Sequence, residues 1–183
     1  MDLERMQIET AVRELLPGAD PEEFAEFLWY VAVHAHAALV SLDVGIGAGW
    51  VSKLIRDYYE TAETILLDAS PAFRLERGAV VPLIQSRVVA EIDGAATEPA
   101  VWEALLPYEG RVGFVFLDGR YEAILDVVAL VRRLARPRCW VCLHGTLVHP
   151  PLQELVARWE ADPAMTLLAR FTRKHGIDIW GLR

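Results

Sequence analysis

Cysteine is scarce in this chain, with two among 183 residues. The N-terminus, MDLERMQIET, is charged and mixed, without the basic stretch and apolar run of a signal peptide. Together these features point to a reducing cytoplasm. Positive charge is also short: 18 Lys and Arg stand against 26 Asp and Glu, for a net charge of −8. Nucleic-acid binders usually present a basic face, so no DNA or RNA partner is expected. A long clean apolar run is missing too. The most apolar stretch, carried mostly by residues 28–44, is interrupted by His34, His36 and Asp43. A membrane span needs roughly 20 cleaner residues, so this stretch reads as a buried helix running into a buried strand. No membrane partner is expected. Repeats, linkers and low-complexity tracts are absent, and 54% hydrophobic residues mark a globular chain. The length fits a single domain, 1–183.

The two cysteines form CWVC, with Cys139 and Cys142 three positions apart. A redox pair of this spacing sits at a helix start. Here the surrounding RCWVCLHG reads as a strand, whose positions three apart point to opposite faces. The pair therefore reads as two buried small hydrophobes.

What is present is alternation. LERMQIETAVRELL and DPEEFAEFLWYVAVHAH read as helices, the second opening with Asp20 as N-cap and Pro21 in the first turn. ALVSLDV is a strand, GWVSKLIRDYYE a helix, TILLD a strand, and PAFRLERGAVVPL a helix to about Gly78 or Pro82. RVVAEID, EPAVWEALLPY, RVGFVFLDG and YEAILDVVALVRRLA continue strand, helix, strand, helix, the last stopping at Pro137. RCWVCLHG is a strand and PPLQELVARWEAD a helix; MTLLARFTR and IDIWGLR close the chain as strands joined by a hairpin turn at KHG. Such alternation predicts an α/β domain with a mostly parallel sheet and one antiparallel strand near the end. Ligands of such sheets sit beyond the strand C-termini, at the topological switch point.

The strand ends carry the chemistry. The first strand ends in Asp43, followed by Gly45, Gly47 and Gly49. Glycine permits a tight turn and lets a ligand lie against the backbone, and the next helix offers free N–H groups. Asp68 ends the second strand, 19 residues after Gly49, well placed to accept hydrogen bonds from a ribose diol. Asp93 ends the third strand, Asp118 the fourth and His144 the fifth. The glycine spacing is GxGxG followed by Trp50, which fits a GxGxxG dinucleotide fingerprint poorly, and no P-loop string occurs.

SLDVGIGAGWVSKLI, TILLDAS, RVVAEIDGAATE and VGFVFLDGRYEAILDVVALVRRLARPRCWVCLHG together resemble the class I S-adenosylmethionine-dependent methyltransferases. Within that group they look most like the small-molecule O-methyltransferases. The resemblance covers residues 38–183, with residues 1–37 as a variable helical cap. It implies a Rossmann-like, seven-stranded, mostly parallel sheet of order 3-2-1-4-5-7-6 with strand seven antiparallel and helices on both faces. It implies S-adenosyl-L-methionine as cofactor: Asp43, Gly45, Gly47 and Gly49 at its methionine half, Asp68 at the ribose, and Asp93, Gly94 and Ala95 at the adenine. Asp118 would face both the methionine moiety and the acceptor.

Metal-dependent relatives place a divalent cation on an acid after strand four and on an acid pair or Asp-Asn after strand five. A further subgroup has DGxHxYE and His-Asp at those places. This chain has DGRYE and His144-Gly145. One carboxylate is a poor start for an octahedral magnesium shell, so no metal site is expected. The expected activity is methylation of a small molecule, most simply at a hydroxyl. His144 is the candidate general base and Asp118 the second. Trp50, Trp102 and Tyr121 are candidate pocket walls, with core packing the simpler reading for Trp102; His149 is a weaker lining candidate. His34 and His36, two apart on a helix, do not share a face and make no metal pair. N-methylation, a non-catalytic cofactor-binding protein and a nicotinamide-dependent oxidoreductase remain open alternatives. So does a homodimer formed through the apolar helix before strand one.

Overall fold

A computed structural model describes residues 3–119 and 123–183. Two helices, α1 (Leu3–Leu15) and α2 (Pro21–His34), precede the first strand. Asp20 caps α2 by accepting the Glu23 N–H at 2.9 Å, and Pro21 fills the first turn, where a missing N–H costs nothing. The core then alternates: β1 (Ala38–Val44), α3 (Trp50–Tyr58), β2 (Thr61–Asp68), α4 (Arg74–Val80), β3 (Arg87–Asp93), α5 (Pro99–Leu105), β4 (Val112–Leu117), α6 (Ile124–Leu134), β5 (Ala135–His144) and α7 (Pro150–Glu160). β6 (Met165–Phe171) and β7 (Ile177–Leu182) close the chain as a hairpin.

The sheet has seven strands in the order β3-β2-β1-β4-β5-β7-β6. The first five are parallel, and β7 is antiparallel to both β5 and β6. The expected architecture and strand order hold. The order reverses direction between β1 and β4, which opens a crevice at the C-terminal ends of those strands.

Each face of the sheet buries its own core. Val40, Leu42, Val44, Val115 and Leu117 pack against α5, α6 and α7. Phe114, Phe116 and Ile179 pack against α1, α2 and α3. Cys139 belongs to the first core and Cys142 to the second, as strand parity requires. Helix α2 turns Phe24, Phe27, Leu28 and Val31 onto its own sheet, all at most 1% exposed. Its apolar face is thus spent within the chain.

Two local readings change. The stretch expected as one helix after β2 is two short 3-10 turns flanking α4; Pro82 lacks the N–H that would continue the i to i−4 ladder beyond α4. β5 begins at Ala135, ahead of Pro137, and passes through Arg138 at φ 64°, a left-handed residue inside a strand. The pairing of β4 with β5 shifts register between Val112 and Phe114, upstream of the regular ladder.

Candidate active site

The three loop glycines are left-handed, at φ 77°, 53° and 92° for Gly45, Gly47 and Gly49. Their environments differ. A Cβ on Gly45 would lie 1.3 Å from the backbone oxygen of Asp118, so only glycine lets the ends of β1 and β4 meet. A Cβ on Gly49 would touch Val80 of α4 at 3.4 Å. At Gly47 it would meet, among the described residues, only the edge of Phe73, at 3.9 Å. Two of the glycines therefore serve packing, and Gly47 is the one that leaves open space above the backbone.

Asp68 organises this loop. Its carboxylate accepts the Gly47 N–H at 2.6 Å and the Ser70 N–H at 2.7 Å, and its backbone carbonyl accepts the Gly94 N–H at 2.9 Å. Asp93 stands beside it in register on β3. Between them lies Arg77 of α4, fully buried, donating to the Gly47 carbonyl at 3.0 Å, to Asp93 at 3.0 Å and to the Ser70 carbonyl at 3.3 Å. One guanidinium thus ties together the loops after β1, β2 and β3. Ala95 gives its N–H to Glu98 at 2.8 Å. The backbone amides of Gly94 and Ala95 are therefore engaged within the chain. Beside them, Val44, Gly45, Ala69, Ala96 and Ala123 help to line a cavity of about 50 Å³.

Asp43 is turned elsewhere. Its carboxylate is buried and pairs with Arg56 of α3 at 2.6 Å. Arg56 also donates to Thr64 at 3.1 Å and stacks over Phe114. Burial raises the Asp43 carboxyl above its usual range, against the opposing pull of Arg56 and Ser52. The side chain anchors α3 beneath the glycine loop.

Across the crevice, Asp118 follows β4 and His144 ends β5, with Asp118 Oδ1 2.9 Å from His144 Nδ1. The oxygen lies off the line of a hydrogen bond, and both ring nitrogens are buried without a hydrogen-bond partner among the described residues. Phe24 and His175 pack their rings against His144 at 5.2 Å and 5.4 Å. These residues line a pocket of about 470 Å³ whose other walls are Leu15 to Ala19, Val51 and Phe73. The helical cap therefore forms one wall of the pocket. Trp50 and His149 are not among its lining residues. Trp102 packs on the α5–α7 core under Arg133, and Tyr121 lies outside the described residues.

No family model matches the chain, and no curated protein does. Solved structures do. The O-methyltransferase from Bacillus cereus, crystallised in complex with SAH, superposes with a TM-score of 0.72 over 98% of this chain and 89% of that one, at 13% identity. The chain has the methyltransferase fold. The O-methyltransferase TomG from Streptomyces achromogenes, in complex with SAM, gives 0.67 over 100% and 90%, at 15% identity. A putative RNA methyltransferase from Pyrococcus horikoshii gives 0.66 over 99% and 96%, at 12% identity. One fold thus accompanies different acceptors, and the acceptor has to be read from the pocket.

Three residues around the site lie outside the strand-end pattern. Arg77 sits inside a helical run, where an arginine is unremarkable in sequence. Glu23 reads as an acid in a first turn, and His175 as part of a hairpin. Glu23 is fully buried, and its carboxylate accepts four successive backbone N–H groups, from Arg173 to Gly176, at 2.9–3.2 Å. It staples the cap to the β6–β7 turn, a pairing across 150 residues that no local pattern announces.

Proposed function

We propose that the chain is an S-adenosylmethionine-dependent methyltransferase acting on the hydroxyl of a small, largely apolar acceptor. One observation carries this reading. Residue 118 belongs to both halves of the site: its backbone closes on Gly45, and its side chain lines the apolar pocket beside His144.

The residue types suit the cofactor. Gly47 leaves its backbone open on one side, and Asp68 and Asp93 supply carboxylates where a ribose and an adenine need acceptors. Asp43 supports the loop from below through Arg56. The neighbouring cavity, about 50 Å³, is far below the roughly 300 Å³ of a small ligand site, so binding must move its walls apart. When bound, S-adenosylmethionine supplies an electrophilic methyl on a sulfonium.

The chain's own residues do the rest. The cap residues Leu15, Leu16 and Phe24 keep water from the acceptor. Asp118 and His144 are the groups able to take the hydroxyl proton. Positioning supplies most of the remaining acceleration, because the leaving group departs neutral. The test is release of demethylated cofactor with a library of hydroxyl-bearing aromatic and aliphatic acceptors. Turnover confined to amines would move the reading to N-methylation. Cofactor binding without turnover of any acceptor would leave a binding protein.

A further inference from the structure

Glu23, His144 and His175 come from the cap, the end of β5 and the β6–β7 turn. One ligand atom from each lies within 4.8 Å of the other two. We propose that this cluster binds a first-row transition-metal ion of the zinc or cobalt class.

Two observations support it. First, His144 has two buried ring nitrogens without a hydrogen bond among the described residues. A buried polar group in that state calls for an explanation, and an ion is one. Asp118 approaches Nδ1 at 2.9 Å, which leaves Nε2 as the nitrogen free for a metal.

Second, Glu23 keeps coordinating capacity. Its Oε1 accepts from Arg173, Lys174 and Gly176, but among the described residues Oε2 accepts only from the His175 N–H, at 3.1 Å. A lone pair remains on Oε2, and the surrounding amides hold the carboxylate in place.

The donor set selects the ion. Two imidazoles and one carboxylate suit zinc, cobalt or nickel, whereas magnesium asks for oxygen. Three protein ligands leave one position open, as in catalytic zinc sites. His144 and His175 both line the pocket, which gives an ion a path inward. Bonds of roughly 2.0–2.1 Å require the three ligand atoms to draw together, and His175 stands on a turn where side-chain rotation can supply the movement. A bound ion would tie the cap to the two strand ends. It would also commit His144, leaving Asp118 as the proton acceptor.

The proposal stands independently of the cofactor, so its test uses none. The full chain, stripped with a chelator, is titrated with Co(II) and followed by visible absorption. One equivalent should bind with ligand-field bands and without a thiolate-to-cobalt band, since Cys139 and Cys142 lie elsewhere. His175→Asn should keep the circular dichroism and melting temperature of the metal-free chain and weaken Co(II) binding by about 100-fold. His175→Gln repeats the test at the same position should the first variant misfold. Absence of ligand-field bands, or wild-type affinity in either folded variant, would overturn the site.

Discussion

Replacing Gly47 by alanine separates a ligand-binding glycine from a packing glycine. Among the described residues the added Cβ meets only Phe73, at 3.9 Å, so none of their atoms has to move. The cost is conformational: an L-residue at φ 53° in the left-handed region loses about 1–2 kcal/mol. For a chain of this size that lowers Tm by about 2–8 °C. The methyl nevertheless enters the open space above the loop, where a ligand must lie against backbone. Cofactor at 100 times its Kd should stabilise the native chain by about 2.7 kcal/mol, or about 5–11 °C, and Gly47→Ala should abolish most of that shift. Gly45→Ala is the control. Its Cβ would sit 1.3 Å from the Asp118 oxygen, so β1 and β4 must separate at their ends. Overpacking of about 1–3 kcal/mol then adds to similar backbone strain, a large share of the roughly 5–15 kcal/mol available. Paired thermal melts, with and without S-adenosylmethionine, decide the matter. A Gly47→Ala chain with the full ligand shift would refute the role of the loop. A Gly45→Ala chain as stable as Gly47→Ala would refute the packing geometry.

Three further outcomes follow from the same structure. In the metal-free chain, His144→Ala should retain cofactor binding while methyl transfer falls by about 10²–10⁴-fold with an altered pH–rate profile; unchanged turnover and profile would remove its role as base. Burial, against the opposing pull of Arg56, pushes Tyr59 up from 10.0 to about 12, and its hydroxyl donates to the His36 carbonyl at 2.8 Å. The folded state therefore favours the neutral phenol: its stabilisation is complete below pH 10 and is lost as pH rises toward 12. Tyr59→Phe should cost about 1 kcal/mol at neutral pH and flatten the alkaline decline of stability, and an unchanged decline would contradict this. Glu23→Ala should destabilise by about 3–5 kcal/mol and speed hydrogen exchange at residues 173–176, whereas native protection there would show that the staple is unimportant.

Much of the fold was legible because its signals are local. Apolar runs bounded by glycine, proline and acids delimit β1, β3 and β4 almost to the residue. The alternation of elements implied a parallel sheet, and the closing pair of strands implied the antiparallel β7. Asp68 and Asp93 do stand at adjacent strand ends, since strand register pairs them, and Asp118 follows β4 on the far side of β1. The direction of side chains was less visible. Asp43 closes the same run as the glycine loop, yet its carboxylate goes to Arg56, because strand parity and the guanidinium on α3 decide where it points. The arginine between Asp68 and Asp93 and the contacts of Glu23 arise only from tertiary packing. His175 gained its importance from a hairpin folding back onto α2, which a turn signal predicts in kind but not in place. After α4 the break came from Pro82 acting inside a helical pattern.

The central claim is that the loop of Gly45, Gly47 and Gly49 and the acids beside it hold S-adenosylmethionine. Isothermal titration of the full chain with that compound tests it directly. The structure predicts saturable one-site binding, competition by the demethylated product and no binding of NAD. Binding of NAD in its place, or no saturable heat with S-adenosylmethionine from a chain that melts cooperatively, would contradict the account.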